Sequence, residues 1–156
     1  MDNEKGFSLI EIVFVCAILG TLALVAVPRL TAFRNEQRVD AEAAKLTAEL
    51  RYLQEVSRST QRIHSDFISV TAESSPTITF SPTGYYITEN GKITRRHTLT
   101  DGLTLHPTRI TTPTGFMNGA QFSMNGDALT LTITLQLGGA VRNVIVDSVG
   151  RIRVEP

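Results

Sequence analysis

The sequence predicts an α+β protein: a long N-terminal helix, its first half apolar enough to cross a membrane and its second half amphipathic, packed on an antiparallel β-sheet domain. Three observations predict it. Residues 7–27 form an almost uncharged run of spanning length. Val39, Ala43, Leu46, Leu50 and Leu53 then recur at helical spacing. Beyond His64, short β-prone runs alternate with turn dipeptides, and the last long one, 129–137, alternates apolar and polar residues without a break.

The apolar run holds 21 residues and one charge, Glu11. At about 1.5 Å rise per residue, a helix of that length reaches roughly 31 Å, the thickness of a bilayer's hydrocarbon core. Pro28 closes the run and Arg29 opens a polar stretch. A secretory signal peptide is the competing reading. It has a basic start, an apolar core of about 7–15 residues and a small-x-small cleavage site behind that core. Here the core is longer, and its nearest candidates, Ala23 and Ala26, stand three apart with Pro28 close behind. Asp2, Glu4 and Lys5 precede the span, whereas Arg29, Arg34 and Arg38 follow it. The positive-inside rule alone therefore favours keeping the C-terminal side in the cytoplasm.

The stripe from Val39 to Leu53 advances in steps of 4, 3, 4 and 3, one face of a helix. No Gly or Pro interrupts the chain between Arg29 and Gln61, so residues 29–62 are expected to continue the span as an amphipathic helix. About two heptads are too few for a coiled coil. The apolar face is expected to pack on the chain's own sheet, and Arg38, Lys45, Glu49 and Glu55 to face water.

Residues 63–156 read as the β domain. Runs at 67–70 and 77–80 are β-prone, and Ser81-Pro82-Thr83-Gly84 is a turn. Runs at 85–88 and 92–94 flank Glu89-Asn90-Gly91, a hairpin signal. Asp101-Gly102 turns the chain before 103–105. Residues 107–119, with two prolines and two glycines, read as a loop, and Asn125-Gly126 as a further turn. In 129–137, Leu129, Leu131, Ile133, Leu135 and Leu137 are expected on the buried face. Gly138-Gly139 reverses the chain into 141–147, and Ser148-Val149-Gly150 into a last strand, 151–155. There Ile152 and Val154 are expected to face the core, and Arg151 and Arg153 to share the other face, roughly 6.5 Å apart.

Composition excludes several function classes. Fifteen basic and fifteen acidic residues give no net charge and hence no global attraction to a polyanion. Cys16 is the single cysteine and lies in the apolar run, so no intrachain disulfide forms. There is no His-Glu-x-x-His and no Gly-x-Ser-x-Gly. The glycines of 84–92 have the wrong spacing for a phosphate-binding loop, and Ile93 stands where Ser or Thr is needed. His64, His97 and His106 are scattered, without ligand spacing. No catalytic residue, metal, cofactor or small-molecule substrate is expected.

The start of the chain carries more. A short charged leader, Met1-Asp2-Asn3-Glu4-Lys5-Gly6, meets Phe7, and an acid, Glu11, stands four residues further in. Gly6-Phe7-Ser8-Leu9-Ile10-Glu11 with the apolar run behind it resembles the type IV prepilin signature. The resemblance implies a leader at 1–6, a transmembrane helix at 7–28, cleavage by a membrane prepilin peptidase between Gly6 and Phe7, and N-methylation of Phe7. It also implies an inner-membrane, single-pass protein with its β domain outside the cytoplasm, against the charge bias, that later joins other pilins or pseudopilins in a filament. The physics of Glu11 agrees. A carboxylate in a membrane helix is costly and usually functional. After cleavage it can pair with the new Phe7 amine of a neighbouring subunit and set register. The bland alternative is a first-turn acid that reaches the interface and complements the helix dipole.

The C-terminus adds a second resemblance. Phe122, Gly126, Thr132, Leu135, Arg142, Val144, Val146 and Gly150-Arg151-Ile152-Arg153-Val154 resemble the end of the GspH/FimT family of minor pseudopilins and minor pilins. That resemblance implies a structural subunit of a type II secretion pseudopilus or type IV pilus and, in the pilus branch, DNA binding during uptake through Arg151 and Arg153. Two fork-shaped cations suit phosphate oxygens. Lys92, Arg95, Arg96 and Arg109 would extend the patch if the hairpin lies nearby. The plain alternative is that strand arginines protect an edge or meet carboxylates such as Asp147 and Glu155.

Overall fold

The computed structural model describes residues 8–64, 76–109, 119–121, 128 and 130–156. The chain divides into two compact units, Met1–Arg34 and Asn35–Pro156. Gly6, Phe7, the run at 67–70, the turn Asn125-Gly126 and Leu129 lie outside the described residues.

One helix, α1, spans Leu9–His64. It is the one described helix long and apolar enough to cross a membrane, by length and composition. In the first unit its large side chains stand exposed: Leu9 is 82% exposed, Phe14 68% and Leu24 78%. Pro28 sits inside the helix and cannot donate to the carbonyl one turn back.

In the second unit α1 presents the expected stripe. Val39, Ala43, Leu46, Leu50 and Leu53 are each fully buried. They form one core with the inner faces of two four-stranded antiparallel sheets, which makes the protein α+β as the sequence predicts. The first sheet takes the order β3-β2-β1-β5, from β1 (Thr77–Ser81), β2 (Gly84–Glu89), β3 (Lys92–Thr98) and β5 (Gly119–Gln121). The second takes the order β4-β6-β7-β8, from β4 (Thr104–Arg109), β6 (Leu131–Leu137), β7 (Ala140–Val146) and β8 (Ile152–Glu155).

The turns match their chemistry. Asn90 and Gly91 join β2 to β3 with φ of 52° and 74°, the left-handed pair that suits the twist of a two-residue hairpin. A Cβ at Gly84 would strike the carbonyl of His97, so only glycine lets β2 and β3 approach there. In β6 the alternation holds: Leu131, Ile133, Leu135 and Leu137 are buried, and Gln136 is exposed. Ile133 pairs with Pro107 on one side and Val144 on the other, which puts it in an interior strand.

Two expectations are corrected. Residue 107 is not the start of a loop, because β4 continues through Pro107 to Arg109. Proline is tolerated there since β4 is an edge strand, with a free side that needs no N–H donor. Nor does Val154 reach the core. It is 44% exposed, while Ile152 packs against the core cluster. Strand β8 is the other edge of its sheet, bound to β7 alone, and three of its four residues are exposed.

Candidate functional site

Glu11 lies in the first turn of α1, exposed. The carbonyl of Ser8 accepts from the N–H groups of Glu11 (3.0 Å) and Ile12 (3.3 Å), which marks Ser8 as the residue where the helix starts. Glu11 stands three positions after Ser8, the spacing of a capping box. An acid in this position faces the positive end of the helix dipole. Among the described residues no cation pairs with it.

Arg151 and Arg153 are both exposed, and each already holds a carboxylate. Arg151 Nε donates to Asp147 Oδ2 at 2.8 Å, and Arg153 Nε lies 3.0 Å from Glu155 Oε1. Asp147 also accepts from the backbone N–H of Arg151 (2.8 Å) and of Val149 (3.1 Å). The Arg151 backbone bond leads the causes that hold the Asp147 carboxyl below the usual carboxylate range. The turn between β7 and β8 is thus tied together by one side chain. Gln54 of α1 fixes it from behind, its amide donating to the Gly150 carbonyl at 2.9 Å.

These two arginines line a groove of about 440 Å³. Its opposite wall is the helix, through Arg51 and Arg58, and Val149 and Ile152 supply apolar surface. Lys92, Arg95 and Arg96 are not among its walls. They belong to β3, at the edge of the other sheet. Arg95 is engaged there by Glu49 at 2.8 Å, with its guanidinium 4.0 Å above the Tyr52 ring. Arg51 and Arg58 are not among the residues that the sequence marks as functional. Their signal was a seven-residue spacing, two helical turns, on a face beside the apolar stripe.

The second polar constellation joins α1 to β3. Glu42 is 4% exposed. Its carboxylate takes Lys45 Nζ at 2.9 Å, His97 Nε2 at 2.8 Å and Thr100 Oγ1 at 3.2 Å. Tyr85 stacks on the His97 ring with centroids 4.9 Å apart. Burial is the largest influence on Glu42 and pushes its carboxyl up. The hydrogen bonds and charges of Lys45 and His97 outweigh it and hold the group below its ordinary value. Burial also pushes the Tyr85 hydroxyl up, helped by Glu49 and Glu42. His97 is therefore a strand histidine serving a buried acid. His106 lies in β4 and His64 ends α1. Among the described residues no three His, Cys, Asp or Glu side chains converge as metal ligands would.

Residues 1–27 match the family model of the prokaryotic N-terminal methylation motif. No curated protein and no solved structure matches the chain. The match covers Gly6, Phe7, Glu11 and the whole apolar run, whose described part from Leu9 onward is exposed helix. With a long N-terminal helix ahead of antiparallel sheets, the chain is type IV pilin-like: it carries the motif of proteins that prepilin peptidase processes and that assemble with other pilins, and its apolar helix fits an inner-membrane anchor.

Proposed function

We propose that the protein is a minor subunit of the GspH/FimT type, a structural component of a type IV pilus or type II secretion pseudopilus and not an enzyme. The observation that carries this reading is the methylation motif over residues 1–27, which takes in the start of an exposed apolar helix with a first-turn acid. In this reading prepilin peptidase cuts between Gly6 and Phe7, Phe7 is methylated, and the β domain stands outside the cytoplasm. Glu11 then meets the Phe7 amine of a neighbour, in an environment where an aligned pair is far more favourable than either charge alone. The mature protein is expected to begin at N-methylated Phe7 by mass spectrometry. Glu11→Ala is expected to be cleaved normally but to enter sheared filaments at least ten-fold less, since losing as little as about 1.4 kcal/mol of contact is tenfold in occupancy. A mature chain starting after Ala26 overturns the reading, and normal incorporation of the variant returns Glu11 to its dipole role.

The second reading is a DNA-capturing minor pilin that uses Arg151 and Arg153. The groove in which both lie favours it. Against it stand their carboxylate partners and the zero net charge, which leaves no long-range pull on a polyanion. With two to four phosphate contacts, binding to duplex DNA is expected to be micromolar or weaker, with log K falling by about 0.9 per contact per log unit of salt. Arg151→Gln with Arg153→Gln is expected to abolish a gel shift on this reading, and an unchanged shift removes these arginines from it.

A further inference from the structure

The groove between α1 and the β7–β8 turn holds four arginines, yet carboxylates already occupy the two on the strand side. The two on the helix, Arg51 and Arg58, have no partner among the described residues, and Glu55 between them is not a groove wall. We propose that this groove docks an extended acidic segment of a different filament subunit, with Arg51 and Arg58 each taking one carboxylate and Val149 and Ile152 taking an apolar side chain between them. The inference rests on the filament-subunit reading and names a partner chemistry for it.

Geometry selects a peptide. Seven positions on a helix separate the two guanidinium stems by about 10.5 Å on nearly the same face. In an extended polyproline-II segment, residues three apart share a face and stand roughly 9 Å apart. An acid-x-x-acid segment therefore fits both cations. Chemistry selects the same class. Val149 is 58% exposed at the groove and Ile152 forms part of its wall, a mixed apolar and arginine surface of the kind that anchors protein partners. A nucleic-acid backbone has no use for an apolar wall, whereas a peptide side chain does. The strand-side arginines already pair with local carboxylates, Asp147 and Glu155, which leaves the helix-side pair to take those of a partner. It is also preorganised, because Asp147 and Gln54 hold the turn from within and behind, so little ordering remains to be done on binding.

The test uses the full chain in detergent micelles and a fluorescein-labelled peptide, Glu-Leu-Pro-Glu flanked by alanines, beside its Gln-Leu-Pro-Gln counterpart and a labelled 20-base-pair duplex. The Glu peptide is expected to bind at least ten-fold more tightly than the Gln peptide. Arg51→Gln with Arg58→Gln is expected to remove that preference with the melt unchanged, since both side chains are exposed. Arg151→Gln with Arg153→Gln is expected to weaken peptide binding less. Equal binding of the two peptides overturns the proposal, and so does a duplex that binds more tightly than the Glu peptide and depends on Arg51 and Arg58. If the helix variant misfolds, the Glu-against-Gln comparison on the unmodified protein decides alone. Cleavage at Phe7 and Glu11-dependent incorporation are measured separately, so a peptide that fails to bind leaves the filament reading standing.

Discussion

Ile133→Asp is expected to abolish the cooperative thermal transition of the β domain. Ile133 has no exposed surface and sits in β6, an interior strand whose neighbours β4 and β7 cover both edges. Its ring of contacts is apolar: the core cluster holds Leu131 and Leu135 on the same face and Val144 across the ladder. Aspartate there forfeits the burial of a branched aliphatic side chain, on the order of 2–3 kcal/mol. It then either leaves a carboxylate unpaired in the core or takes up a proton, at a further cost of several kcal/mol. The total is comparable with the whole stability of a typical domain, roughly 5–15 kcal/mol. The control is on the same strand: Gln136→Asp, on the wet face, is expected to shift stability by no more than about 1 kcal/mol. Circular dichroism melts of the full chain in detergent give both results. A cooperative melt unchanged by Ile133→Asp would mean that the faces of β6 are reversed.

What the residues disclosed in advance divides along a physical line. Features with a short period were legible. The 4-3-4-3 stripe on α1 is buried to the last member because a helix repeats within the window being read. Asn90-Gly91 is a left-handed turn because few residue pairs tolerate that backbone. What depended on strand order was not legible. Pro107 looked like a breaker, and only the edge position of β4 makes it acceptable. Val154 followed the alternation but lies on an edge strand where the core has run out. The site divides in the same way. Glu11 is marked by its isolation in an apolar run. The groove joins α1 to a turn roughly a hundred positions away in sequence, and no local pattern announces that Arg51 and Arg58 face Arg151 and Arg153. Glu42 had half a signal. It stands three residues after Val39 and four before Leu46, on the apolar face, where an acid must find partners. Two of those partners, His97 and Thr100, come from 55 and 58 residues away.

Glu42 supplies the other large effect, and one with a definite pH dependence. Glu42→Ala is expected to cost roughly 2–3 kcal/mol, because a buried carboxylate accepting three bonds is removed and His97 and Thr100 lose their acceptor. The figure stays below that of a fully buried ion pair, since Lys45 keeps more than half of its side chain in water and His97 about a third. Glu42→Gln preserves shape and one acceptor oxygen but brings an amide donor up to other donors, so it is expected to recover only part of the loss. The pH dependence follows from the direction of the shift. The folded carboxyl titrates below its ordinary value of 4.5, so the folded state holds this proton less tightly than the unfolded chain does. Its contribution is therefore fully present above that ordinary value and is lost as pH falls through the folded-state value. Asp147, also held low, acts in the same direction from its exposed turn. Melting temperature is thus expected to be flat at neutral pH and to fall as pH drops below about 4.5 in the parent protein. The Glu42→Ala variant should start lower and fall less steeply over the same interval. Parallel curves for variant and parent would show that the Glu42 cluster carries none of the acid sensitivity. A variant as stable as the parent at pH 7 would show that desolvation of the carboxylate cancels its three bonds.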